Sequence, residues 1–306
     1  MRNYLSRGNR DLVRWPGERL FFDADDGSGD RFQGVLHRCA GAPLVVLVHG
    51  LTGCEGSFYV LETAANMLSA GYSVLRLNLR GAGPSRTTCG GHYCAGSSGD
   101  LAIVLRQLPQ DLTAAGLVLA GYSLGGNIVL KYLADGASEI APNAAMAVSP
   151  TIDLASSAER MLDARNRLYH CWLLKRMKEE AVMEGAQVSV SERRAIESAR
   201  TVVEFDDRFV APRNGFRDAA DYYAQCSTVH RLGDIDVPVV LIHADNDPWI
   251  PAASFPRNDV GTVRVLLTGG GGHVGFHGRG SKVPWHDRCM LAFARANAAP
   301  QPVTCP

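Results

Sequence analysis

The chemistry in this sequence begins with one serine. Ser123 is the centre of Gly121-Tyr122-Ser123-Leu124-Gly125, a GxSxG pattern. By itself the pattern is weak, because a chain this long and glycine-rich carries roughly 0.2 such matches by chance. Its surroundings strengthen it. The apolar run Leu117-Val118-Leu119-Ala120 precedes it, and Gly126 and Asn127 continue beyond it into a helical pattern. A serine in a tight strand-to-helix turn is exposed at the sheet end, and the helix N-terminus favours the negative charge that develops there. The flanking glycines let neighbouring backbone approach closely. The plainer role for Ser123 is a helix cap.

A serine hydroxyl attacks only when a positioned base takes its proton, so partners are required elsewhere in the chain. On this kind of elbow they follow in the order acid, then histidine. The acid is expected after the run 239–243, where the sequence reads Ala244-Asp245-Asn246-Asp247-Pro248-Trp249. Asp247, deeper in the loop and next to a proline, can turn back toward a histidine. Asp245, at the strand end, has turn formation or capping as its ordinary role. The base is expected after the run 263–267, where Thr268-Gly269-Gly270-Gly271-Gly272 leads to His273. His277 is the fallback. His243 lies within a buried strand and reads as a hydrogen-bonded structural histidine, while His49, His92 and His286 stand at the wrong places in the chain order. Acyl transfer also needs donors for the oxyanion. The backbone N–H of Leu124, just after the nucleophile, is one. The other is expected from the loop His49-Gly50-Leu51-Thr52-Gly53, with Leu51 as its donor and the His49 side chain structural.

These groups must sit at the ends of strands in one sheet, and the rest of the sequence supplies such a sheet. Segments 19–24 and 31–37 read as an opening hairpin around a turn-rich linker. The run 44–48 is continuously apolar and β-branched, as for a strand buried on both faces. Helical and strand patterns then alternate: a helix over 57–70, a strand over 72–77, a helix over 99–108, a strand over 116–122, a helix over 125–133 and a strand over 144–148. That alternation implies a mostly parallel sheet flanked by helices. It stops near Leu154. Residues 155–230 are charged and helical, notably 158–180 and 191–199, and form a lid-length insertion between core segments 1–154 and 231–306. The alternation resumes with strands over 237–243 and 263–267 and a last helix over 285–298.

The chain has 306 residues, with 31 lysines and arginines against 31 aspartates and glutamates. A balanced charge argues against nucleic acid as a partner, since phosphate binding needs a local excess of positive charge. The stretch 1–15 is charged, without the apolar core of a signal peptide, and no apolar run is long enough to span a bilayer. A cytoplasmic protein without stable membrane insertion is therefore expected. The eight cysteines are scattered and read as free thiols; Cys89 and Cys94, the one close pair, lack further metal-ligand neighbours. Neither a cofactor nor a metal is expected.

Taken together, these motifs resemble the YheT-like α/β-hydrolases, a family of carboxylesterase character. The resemblance spans about residues 44–278. Beyond the motifs above it includes Asn78-Leu79-Arg80-Gly81, Phe205-Asp206-Asp207, Gly215-Phe216, Asp221-Tyr222-Tyr223 with Ser227, and Gly271-Gly272-His273-Val274-Gly275-Phe276. It implies the α/β-hydrolase fold and a triad of Ser123, Asp247 and His273. One departure stands out: relatives often carry two adjacent aspartates before the proline, where this chain has Asn246-Asp247. Asp206 and Asp207 are expected to hydrogen-bond the insertion to the core. The expected activity is hydrolysis of a small-molecule carboxylic ester through an acyl-enzyme. Insertion residues Met161, Leu162, Trp172, Leu173 and Leu174 would cover a medium-chain or lipid-like acyl group, or else pack on one another. An acyltransferase or amidase with the same triad, or a catalytically silent binding protein on the same fold, are the rival functions.

Overall fold

The computed structural model describes residues 12–136, 140–278 and 280–298. Strands β1 (Gly17–Asp23) and β2 (Arg31–His37) form the expected antiparallel hairpin, and β2 pairs antiparallel with β4 (Ser73–Leu77). The remaining strands are β3 (Leu44–Val48), β5 (Leu117–Tyr122), β6 (Ala144–Val148), β7 (Val239–Ala244) and β8 (Val263–Thr268). They pair in parallel, within one sheet ordered β1-β2-β4-β3-β5-β6-β7-β8. Every residue of β3, β5, β6 and β7 is buried. Their unbroken apolar runs have this cause, since helices cover both faces of the sheet.

Among helices of at least eight residues, α1 (Phe58–Ser69), α2 (Ser98–Arg106), α3 (Leu124–Ala134) and α8 (Trp285–Asn297) pack on the sheet; the helices of 155–230 are introduced below. Gly71 (φ 88°) ends the first of them in the left-handed conformation that glycine adopts without strain. Two apolar clusters, one on each side of the sheet, contain the alternating residues of its strands, such as Val46 and Val48 against Val45 and Leu47.

From β3 the chain moves to β4 on one side, then crosses back to β5 on the other. β3 and β5 are neighbours in the register Val48↔Gly121, so the loops leaving their C-terminal ends diverge and open a crevice. Such a switch point is where open α/β sheets bind ligands. Likewise β7 and β8 pair up to Ala244↔Thr268, which sets the loops that follow them side by side.

Between β6 and β7 the chain is helical: α4 (Leu154–Met161), α5 (Arg167–Ala181), α6 (Val190–Ser198) and α7 (Ala219–Cys226). The helix expected over 158–180 is broken. Asn166 sits at the break, where its side-chain amide donates to the carbonyls of Arg160 (2.8 Å) and Pro248 (2.9 Å). A π-helical turn at Asp206–Val210 interrupts the run again. This segment has its own apolar cluster, including Leu173, Leu174, Met177, Ile196, Phe205 and Phe209. Of the expected stretch 1–15, residues 1–11 lie outside the described residues. Among the described residues no helix is long and apolar enough to cross a membrane.

Candidate active site

Ser123 sits between β5 and α3 with φ 52° and ψ −120°. A non-glycine residue there is strained by on the order of 1–3 kcal/mol and persists only where its surroundings hold it. They do so tightly. Ser123 N–H donates to the Val148 carbonyl (2.9 Å), and the Ser123 carbonyl accepts from Asn127 N–H (3.1 Å). A Cβ on Gly125 would stand 2.2 Å from the His49 carbonyl oxygen, and one on Gly121 would stand 2.3 Å from that of Gly125. Both glycines of the pattern are therefore demanded by close backbone approach. The non-glycine residues with positive φ among the described residues are Thr52, Ser123, Ser149, Val274 and Phe276. Thr52, Ser123 and Val274 line one cavity of about 460 Å³, and strain concentrated this way marks functional sites.

Asp247 and His273 meet across the β7 and β8 loops. His273 Nδ1 lies 2.8 Å from Asp247 Oδ2. The other carboxylate oxygen, Oδ1, accepts from the N–H groups of Trp249 (2.9 Å) and Ile250 (3.1 Å). Burial opposes ionisation of Asp247, but the charge and hydrogen bond of His273 and the two backbone N–H groups outweigh it and hold the carboxyl below its ordinary range. An ionised carboxylate only accepts, so Nδ1 carries a proton toward it, and in the neutral ring Nε2 then keeps the lone pair. His273 lines the cavity with Ser123. No hydrogen bond joins Ser123 Oγ to His273 among the described residues, a separation common before substrate tightens such contacts. Trp249 packs its ring 4.6 Å from that of His273, and Tyr169 of α5 stacks on Trp249 at 3.7 Å.

The alternatives fall elsewhere. His277 is exposed and away from the cavity lining. Asp245 is exposed, 3.8 Å from Arg257. His243 is buried in β7 as expected, and its Nδ1 lies 3.9 Å from Asp247 Oδ2. Its ring stacks on Phe255 at 3.8 Å, and burial lowers its pKa to about 4, so it packs as a neutral plate. Asp206 and Asp207 do not tie the insertion to the core. Asp206 accepts from the Tyr223 hydroxyl (2.7 Å) and Asp207 from Ala219 N–H (3.1 Å), both within the same helical segment. One tie to the core is made by Asn127, whose amide donates to the Cys226 carbonyl (2.8 Å) and accepts from Thr228 Oγ1 (2.9 Å). Short side chains on a π-helical turn facing α7 reach α7 first.

The loop after β3 has its polar backbone pinned. Gly50 N–H donates to the Tyr59 hydroxyl (2.9 Å), and Gly53 N–H donates to the Gly50 carbonyl (3.0 Å). That carbonyl also takes the His49 ring: Leu79 N–H donates to Nε2 (3.1 Å), so the proton sits on Nδ1 and is given to Gly50 O (2.8 Å). Burial lowers the His49 pKa to about 4 and keeps the ring neutral in this role. The N–H groups of Leu51 and Leu124 have no acceptor among the described residues, and both residues line the cavity beside Ser123.

Sequence reasoning missed the residue that holds the histidine loop. Asn246 Oδ1 accepts from both Gly271 N–H (3.0 Å) and Gly272 N–H (2.8 Å), tying the acid loop to the four-glycine run before His273. Its place beside Asp247 was the one available signal. Of the five insertion residues singled out for an acyl group, Met161, Trp172 and Leu173 line the cavity. Leu162 is exposed and Leu174 is buried in the insertion's own cluster. Among the described residues no three His, Cys, Asp or Glu side chains are grouped to hold a metal ion.

A model of the Alpha/beta hydrolase family matches residues 45–283. The chain is similar to the Escherichia coli K12 protein named "Putative esterase YheT", with 31% identity over 244 residues covering 77% of this chain and 71% of that one. It is similar also to "Phospholipase ABHD3" of Mus musculus, 29% identical over 242 residues, and spans only 58% of that longer protein. Among solved structures, the Pyrococcus furiosus esterase Pf2001 shares the fold with a TM-score of 0.64 at 16% identity, over 94% of both chains. With the switch-point crevice and strained elbow described above, these matches make the chain a YheT-like member of the alpha/beta hydrolase family, in its esterase- and lipase-like part.

Proposed function

We propose that this chain is a serine carboxylesterase with Ser123 as nucleophile, His273 as general base and Asp247 as the group that orients the imidazole. The observation that carries the reading is the 2.8 Å contact between His273 Nδ1 and the doubly anchored Asp247, on a ring that shares one cavity with Ser123. In the first half-reaction His273 Nε2 takes the Ser123 proton while Oγ attacks the ester carbonyl. The carbonyl oxygen becomes an oxyanion held by the N–H groups of Leu51 and Leu124, and removing one such donor typically costs about 3–4 kcal/mol. Collapse expels the alcohol, which takes the proton from His273 and leaves an acyl-serine. Water, deprotonated by the same imidazole, then releases the carboxylic acid and restores Ser123.

The cavity lining supports a reading of the substrate class. Leu51, Leu124, Leu154, Met161, Leu173 and Met177 surround the space beside Ser123 and suit a medium-chain or lipid-like ester. Relatives named as a phospholipase and as a "Monoacylglycerol lipase" of Saccharomyces cerevisiae (26% identical over 265 residues) point the same way. Residues 155–230 act as the lid of this cavity, and the protein acts in the cytoplasm on a small-molecule ester. A fluorophosphonate probe is expected to label the wild type at Ser123 and to leave Ser123→Ala unlabelled. Folded wild type that stays unlabelled would overturn the reading. Rates on p-nitrophenyl esters are expected to rise from acetate toward medium chains; a steep fall beyond butyrate would reject the lipid-like substrate while leaving the esterase standing.

A further inference from the structure

We propose that Tyr93 is a positioning residue for the oxyanion loop and that, through Glu180, it couples this loop to the helical insertion; the proposal rests on the esterase reading above. The loop is a turn over residues 50–53 closed by Gly53 N–H on the Gly50 carbonyl. Its third residue, Thr52, has φ 55°, the position that a type II turn reserves for glycine. A β-branched residue is a poor occupant of that conformation and needs an outside hold. The hold is a phenol. Thr52 N–H donates to the Tyr93 hydroxyl at 2.7 Å. That hydroxyl has a single proton, which it gives to Glu180 Oε2 at 3.1 Å, so its lone pair faces Thr52.

The neighbouring donors are already committed. Gly50 N–H belongs to Tyr59, and the Gly50 carbonyl is fixed by the His49 ring and by Gly53. In a trans peptide the N–H points opposite to the C=O, so fixing the Gly50 carbonyl aims the Leu51 N–H. What remains free to turn is the peptide between Leu51 and Thr52. Without Tyr93 that peptide can flip, which relieves Thr52 and loosens the Gly53–Gly50 closure on which the aim of the Leu51 donor rests.

Glu180 makes the hold depend on the insertion. It lies near the C-terminal end of α5, and burial pushes its carboxyl up to about 7 against the hydrogen bond from Tyr93 and the charges of Arg86 and Arg176. The Leu51 side chain packs against the insertion's apolar cluster. The oxyanion loop therefore touches the insertion twice, once through an apolar side chain and once through the hydroxyl chain Thr52–Tyr93–Glu180. A shift of α5 is felt at the donor that stabilises the transition state.

The test compares Tyr93→Phe, Glu180→Gln and Glu180→Leu with wild type, using a p-nitrophenyl ester and an alkyl trifluoromethyl ketone, whose serine adduct carries the oxyanion. Tyr93→Phe keeps the ring that packs edge-on against His49 but removes the hydroxyl. Its kcat is expected to fall about 10- to 100-fold with KM within about threefold, and the Ki of the ketone to rise in step with the loss in kcat/KM. Glu180→Gln, which retains an acceptor, is expected to lose less than Glu180→Leu, and both less than Tyr93→Phe. Wild-type kcat and ketone affinity in Tyr93→Phe would overturn the proposal, as would a loss confined to KM. A wild type inert to both the ester and the fluorophosphonate probe would instead overturn the esterase reading itself, so the two failures are told apart.

Discussion

Replacing Asn246 by alanine removes the side chain that ties the acid loop to the glycine run before His273. Asn246 Oδ1 accepts two N–H bonds, at 3.0 Å from Gly271 and 2.8 Å from Gly272. The amide orientation follows from the partners, since two donors can only face the oxygen. Each bond in this exposed setting contributes about 0.5–1.5 kcal/mol, so about 1–3 kcal/mol of ordering is at stake. The segment it orders, Gly269 to Gly272, has no side chains of its own and loses more freedom on ordering than any other residue type would. If that ordering must be repaid whenever His273 reaches its working position, kcat/KM falls by about 5- to 150-fold at roughly 1.4 kcal/mol per tenfold. Other ties remain, among them Thr268 Oγ1 on the Gly270 carbonyl (2.9 Å), Phe276 N–H on the Gly271 carbonyl (2.9 Å) and the contact of His273 with Asp247. The expectation is therefore near the lower end, about tenfold. Kinetics on p-nitrophenyl butyrate with a parallel melting curve would measure it, with Asn246→Asp as the control that keeps an acceptor for both N–H groups. A kcat/KM for Asn246→Ala within about twofold of wild type, at unchanged Tm, would refute the role given to Asn246. An equal loss in Asn246→Asp would refute it too.

Other perturbations probe the backbone of the elbow and the buried charge beside the cavity. Gly125→Ala would place a Cβ 2.2 Å from the His49 carbonyl oxygen and 2.6 Å from that of Val48. Relief requires α3 and the end of β3 to separate by the order of 1 Å, and a misplacement of that size costs about 100-fold in activity, so kcat/KM is expected to fall at least that far and Tm with it. Undiminished activity in Gly125→Ala would mean that the two donors tolerate such separation. For Asp206, burial raises the carboxyl from its ordinary 3.8 to about 7 against the hydrogen bond from Tyr223. A raised carboxyl contributes its stability in full below pH 3.8 and loses it as pH rises through about 7, so the ionised form is a cost on the order of a few kcal/mol at most above that pH. Asp206→Asn, still able to accept from Tyr223, is expected to match wild type in Tm near pH 4 and to exceed it increasingly up to pH 8. A Tm difference that stays constant across this range would refute the assignment.

How much of this was legible beforehand varies from residue to residue. The alternation of strands and helices announced the parallel sheet because strands buried on both faces must be apolar without interruption, as 44–48 and 117–122 are. The elbow at Ser123 was legible because its glycines fall in a short pattern, although only Gly121 is demanded within four residues of chain and Gly125 is demanded by the distant His49 carbonyl. The places of Asp247 and His273 were legible as loops after two successive strands, and β7–β8 pairing is what sets those loops adjacent. The break at Asn166 within the expected helix 158–180 was not legible, since the side chain that stabilises it reaches Pro248, 82 residues away.

The sequence by itself determined the order of chemical groups along the chain and the sheet that brings strand ends together. Both follow from patterns only a few residues long, namely hydrophobic periodicity and the glycines of a tight turn. Tertiary structure decided which side chains aim those groups. Tyr93 meets Thr52 across 41 residues of chain and Glu180 across 87, and Asn246 meets Gly271 across 25. A lone tyrosine or asparagine carries no spacing that reveals such a partner. Its hydrogen bond exists only because the folded chain brings a distant backbone N–H or carboxylate within its reach.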